Sequence, residues 1–182
     1  MKNTSTLSAM LAKSQTSQAV VGCIETLNQG YEFLETLQPE DYTYIAQPHV
    51  SSSIGEHYRH WLDLFHAIRL DRDKIDYNVR RRGHNVERDI NVAKQEIAEL
   101  IEWLFGLPAN ELNQPVQVET EVMLSQTHVE EVTSTFVREI TFAALHATHH
   151  FAMAKVVASL RGVASDSHFG VAPTTATYQR AQ

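Results

Sequence analysis

The chain has 182 residues, 43% hydrophobic and 20% charged, a balance that suits one globular domain and excludes disordered and fibrous classes. A net charge of −7 and a pI near 5.8 argue against a general nucleic-acid binder, because such proteins concentrate positive charge. The lone cysteine, Cys23, requires no oxidising compartment, the opening "MKNTSTLSAMLAKSQTSQ" lacks a signal-peptide apolar core, and no run of about 18 apolar residues occurs, so a cytoplasmic protein without a membrane span is expected.

Apolar periodicity predicts four long helices in chain order. The first covers roughly Thr16 to Leu37 through Val20, Ile24, Leu27, Tyr31 and Leu34, and Pro39 closes it. The second opens at Ser53 with Glu56 as capping-box partner and carries Ile54, Tyr58, Trp61, Phe65 and Ile68. The third runs from about Val86 to Phe105 through Ile90, Ile97, Leu100, Ile101 and Leu104, ending at Gly106 and Pro108. The fourth spans about Thr135 to Leu160, with Gly162 as the stop.

The connections set the expected topology. Between the second and third helices, "LDRDKIDYNVRRRGHN" is long enough to cross a bundle, which makes those helices parallel. Before the fourth helix, "PVQVETEVMLSQTHVEEVT" alternates apolar and polar residues around Ser125 and Gln126, the pattern of a small hairpin or irregular arm. The expected class is all-α, an up-down-down-up four-helix bundle with that insertion, in a single domain over 1–182. Its core is read as about 16–162, with a C-terminal tail over 163–182 lying across the outside.

Ten histidines are the compositional oddity, and "LHATHHFAMAKV" concentrates three of them, His146, His149 and His150, in an apolar stretch. Imidazoles are costly to bury without partners. A single histidine on such a face is most often a core residue bonded to a backbone carbonyl, but His146 and His150 are one turn apart on one helix face, the spacing at which two rings reach the same ion. The second helix supplies further donors in "SIGEHYRHWLDLFHAI". Helix phase favours His57, near the centre of the apolar stripe, over His60 at its edge, and both can bind.

With "SIGEHYRH" in the second helix and "HATHH" in the fourth, the chain resembles the DinB/YfiT-like superfamily from about Val20 to Gly162. That resemblance implies a divalent metal, zinc, nickel, iron or manganese, held by His60, His146 and His150, with His57 and His149 as second choices. It further implies a thiol S-transferase or metal-dependent hydrolase acting on a small molecule, a low-molecular-weight thiol being a candidate second cofactor. Three neutral imidazoles leave an open position that can hold water or a thiolate. No catalytic residue is assigned. Arg80, Arg81 and Arg82 read first as a solvated loop face and second as a clamp for substrate carboxylates or phosphates. Glu56 reads first as a cap and second as an orienter of the histidines.

The fourth helix is apolar nearly all round, with Phe142, Leu145, Val156 and Leu160 on a different side from Phe136, Ile140 and Phe151, which predicts a homodimer. The alternative to an enzyme is a non-catalytic, stress-related metal-binding dimer. A helical DNA-binding protein is poorly served by the acidic charge.

Overall fold

The computed structural model describes residues 16–182, so the reading of the first 15 residues lies outside the described residues. Helix α1, Gln18–Leu34, starts at Ser17, whose hydroxyl accepts from the Ala19 amide at 3.3 Å, and buries Val20, Cys23, Ile24 and Leu27 along one face. The short α2, Pro39–Tyr42, brings the Tyr42 hydroxyl to the Val86 carbonyl at 2.6 Å. Helix α3, Ile54–Leu70, is set by its capping box: Ser53 Oγ accepts from the Glu56 amide, and Glu56 Oε2 accepts from the Ser53 amide at 2.7 Å. Helix α4, Ile90–Phe105, begins at Asp89, and the 25-residue α5, Phe136–Leu160, ends before Gly162, whose φ of 77° only glycine adopts without strain.

Helix directions follow from paired contacts. His57 meets His150 and His60 meets His146, so α3 and α5 are antiparallel. His66 meets Glu96 and Arg69 meets Glu99, so α3 and α4 are parallel. Cys23 bonds the Ile140 carbonyl and Gly30 lies against Phe151, so α1 and α5 are parallel. Aromatic rings fill the space between them: Trp61, Tyr58, Phe65 and Phe151 are fully buried, and burying a phenyl ring such as Phe65 contributes roughly 1.5–3 kcal/mol.

The expected all-α class is corrected. Among the described residues six α-helices are accompanied by a three-stranded mixed sheet, in which β1 (Lys74–Asp76) runs parallel to β2 (Pro115–Glu121) and β2 pairs antiparallel with β3 (Val129–Thr135). Alternation in β2 puts Val116 and Val118 into the core, and Ile75 of β1 is fully buried beside them. The crossing between α3 and α4 is thus not a plain linker: its first part docks as a strand, and Tyr77 after it donates its hydroxyl to Glu139 of α5 at 2.7 Å. A three-residue strand is too short to show a period, which is why the sequence pattern concealed it.

The C-terminal segment is also more than a covering. Phe169 is buried, stacked on Phe33 at 4.0 Å and Phe151 at 5.0 Å between ring centroids, while Gly170 passes so close to α5 that a Cβ would lie 2.6 Å from the Ala152 nitrogen. Among the described helices only the last, α6 (Pro173–Arg180), has no buried residue.

Gly55 tests this packing. A Cβ there would overlap the Glu87 carbonyl oxygen and lie 2.9 Å from the Tyr42 ring, so the 3-10 turn Asn85–Glu87 sits directly on the first turn of α3. Gly55→Ala should therefore destabilise the fold by about 1–3 kcal/mol despite the better helix propensity of alanine, as a drop in urea midpoint. An unchanged or raised midpoint would show that the turn is not seated there.

Candidate metal centre

His57 and His60 lie on the first two turns of α3 and face His146 and His150 on the middle of α5. The capping box fixes where α3 starts, and the antiparallel α5 offers two rings one turn apart. His60 Nε2 and His146 Nε2 are 3.1 Å apart, as are His146 Nε2 and His150 Nε2. One ligand atom each from His60, His146 and His150 falls within 4.8 Å of the others, the one such group of metal-ligating side chains among the described residues. All three rings are half-buried, so the cluster reaches solvent.

His57 stands behind this trio. It is 9% exposed, and its Nδ1 lies 3.0 Å from Nδ1 of His150, the nitrogen facing away from the cluster. The contact requires one N–H and one lone pair, so the tautomers of His57 and His150 are coupled. The far nitrogen of His57, Nε2, is buried without a hydrogen-bond partner. His149 is exposed and lies outside the trio, its ring centroid 5.5 Å from that of His150 and 6.3 Å from that of His146.

Burial keeps these rings neutral. It is the main cause that lowers the pKa of His57, His60, His146 and His150 from the ordinary 6.5, to about 4 for His60 and about 2 for His150. The neighbouring imidazoles push in the same direction, and the Arg80 charge does so at His60 and His146. Neutral imidazole is the form that ligates metal.

The expected arginine clamp divides into three roles. Arg81 is engaged: its Nε donates to Asp63 Oδ1 at 2.7 Å, and its two terminal nitrogens grip both oxygens of Glu96 at 2.9 Å. Arg59 joins the same network through Glu87 and Asp63, and His66 reaches Glu96 at 3.1 Å. Burial acts to raise the Glu96 pKa, but hydrogen bonds from His66 and Arg81, with their charges, bring it down to about 2. Arg82 is exposed. Arg80 is half-buried, with one terminal nitrogen, Nη1, buried and unpartnered. Glu56 makes the reciprocal cap with Ser53, and its charge also acts on His57.

Helix phase favours His57 as the donor from α3 and the resemblance favours His60; the ring geometry groups His60 with His146 and His150 and sets His57 against the other nitrogen of His150. Asp63 and Glu96 escaped sequence reasoning altogether, because ion pairs between helices leave no periodic signal. Phe151, which follows the histidine pair, faces away from the cluster into the core, where it packs on Gly30, Tyr58, Trp61 and Phe169.

A pH dependence follows for the metal-free protein. The folded-state pKa values lie below 6.5, so the unfolded chain binds more protons once the pH falls under that value. The stability contributed by neutral rings is fully present above pH 6.5 and is lost as the pH falls, through about 4 for His60. In chelator, the urea midpoint should be lower at pH 5 than at pH 7, a window above the range in which carboxylates titrate. Equal midpoints at the two pH values would contradict the burial of the rings.

No family model and no solved structure matches the chain. A curated protein of Rhizopus delemar named FK506-binding protein 5 is 29% identical over 108 residues, which cover 59% of this chain and 28% of that protein. The chain thus spans little more than a quarter of the relative's length. The relative's name points to another family than the DinB/YfiT-like superfamily, and the expected membership is corrected on that finding. The thiol S-transferase and hydrolase activities rested on the resemblance and are withdrawn with it. No helix among the described residues is long and apolar enough to cross a membrane.

Proposed function

We propose that this chain binds a divalent metal ion through His60, His146 and His150, and that its function is exercised at that ion. The observation that carries this reading is the convergence of three ring nitrogens from two helices within 4.8 Å. Zinc–imidazole bonds of about 2.0–2.1 Å in tetrahedral geometry put ligand nitrogens about 3.3 Å apart, close to the two contacts of 3.1 Å. The rings fit the ion chemically as well, being neutral donors at pH 7. Zinc, nickel, iron and manganese all accept such a set.

His57 supports the site through the tautomer of its neighbour. With the His150 lone pair on Nε2, its proton sits on Nδ1 and is donated to Nδ1 of His57, which fixes the ring plane. Three protein ligands leave at least one position for water or a small donor such as a thiolate, and the half-buried rings keep it within reach of a small molecule. The buried, unpaired Cys23 agrees with a reducing, cytoplasmic setting. Leu145, Val156 and Leu160 are 51%, 44% and 50% exposed on the outer side of α5, the surface on which a second copy would pack; a monomer mass on sedimentation contradicts that homodimer.

The curated relative motivates a second reading, binding of FK506 as that protein's name states. It rests on the name alone, with 28% of that protein's length matched.

Calorimetry and elemental analysis of protein made without an affinity tag decide between the readings. The wild type should hold one divalent ion per chain, His146→Ala and His60→Ala should lose it, and His57→Ala should retain it with affinity lowered about 10- to 100-fold. A His60→Ala variant that keeps its ion while His57→Ala loses it would reassign the ligand. No uptake of any of the four metals, with heat released on adding FK506, would favour the second reading.

A further inference from the structure

Arg80 is a cation whose charge acts on both His60 and His146 and which carries a buried nitrogen without a partner. Residue 81 is pinned to α3, its amide donating to Asp63 Oδ2 at 3.1 Å and its side chain bonding the other oxygen. Asp63 lies one turn after His60 on the same helix face. The preceding residue, Arg80, is thereby held beside the histidine cluster, near enough for its charge to act on both His60 and His146. The acids of this region are occupied elsewhere: Asp63 by Arg59 and Arg81, Glu87 by Arg59 and the Gly83 amide, Glu96 by Arg81 and His66. Arg80 Nη1 is left buried with no partner.

A buried guanidinium N–H without an acceptor is costly in a chain that satisfies its other buried arginines. The cost is removed when an oxyanion occupies the place beside it, since guanidinium matches carboxylate and phosphate oxygens through paired N–H donors. We propose that Arg80 is an anion-recognition residue for the metal centre, binding an oxyanion group, carboxylate or phosphate, of a small ligand that approaches the open coordination position. This rests on the metal reading above and adds the chemical class of the ligand. It gives Arg80 a role distinct from Arg81, whose fork is already filled by Glu96.

The test uses full-length protein loaded stoichiometrically with zinc, freed of excess ion and titrated calorimetrically with acetate and, separately, inorganic phosphate. Tighter binding of one anion identifies the source of the oxyanion. Arg80→Gln should weaken the preferred anion tenfold or more while zinc content stays at one per chain. Should Arg80→Gln fail to fold, Arg80→Lys keeps the charge but loses the paired donors, and its affinity should fall several-fold. Equal affinity in wild type and variant, or no binding of either anion to zinc-loaded wild type, overturns the role of Arg80 and leaves the metal site standing. Wild type that takes up no zinc overturns the metal reading itself, and with it this inference.

Discussion

The contact between α3 and α5 is made by imidazole rings as well as by apolar side chains, and the remaining architecture serves to hold that contact. Four histidine rings meet there in two layers, His60 with His146 and His57 with His150, with His146 and His150 also in contact. Without a cation, neutral tautomers satisfy one of the two contacts at His146 Nε2, whose single lone pair accepts one proton, from His60 or from His150. A cation takes the place of that proton when all three Nε2 atoms present lone pairs. Either way the rings must be neutral, and burial ensures it. The cluster is thus preformed in the fold rather than assembled from mobile parts.

Rigidity comes from both sides. On one, Phe151, adjacent to His150, is locked against Gly30, Tyr58, Trp61 and Phe169, so α5 cannot rotate without opening the core. On the other, the network of Arg59, Asp63, Arg81, Glu87 and Glu96 binds α3 to α4 and to the crossing between them. Half-buried ion pairs of this kind contribute little net stability each, but removing one partner strands the others. Their evident consequence is positional: they fix the crossing so that Arg80 lies beside the histidines.

Legibility in the sequence followed the physics of periodicity. The long helices and the pair His146 and His150 were visible because a 3.6-residue period and a one-turn spacing are local properties. The hairpin β2–β3 showed its alternation, whereas β1 did not, being three residues long and recruited by its partner strand. Phe169 falls in a segment that reads as a tail lying across the outside, and the glycine after it, with φ of 75°, marks the close approach to α5. The choice between His57 and His60 turned on helix rotation, which apolar phase fixes too coarsely. The family inferred from those same motifs did not survive comparison, since histidines at helical spacing specify a donor set rather than an ancestry.

The proposed site has His60, His146 and His150 ligating one ion together. X-ray absorption spectroscopy of zinc-loaded protein tests it most directly. A first shell of light scatterers at about 2.0–2.1 Å is expected, with the outer-shell scattering of three imidazole rings. A shell fitted by oxygen donors alone, or by fewer than three imidazoles, would contradict it.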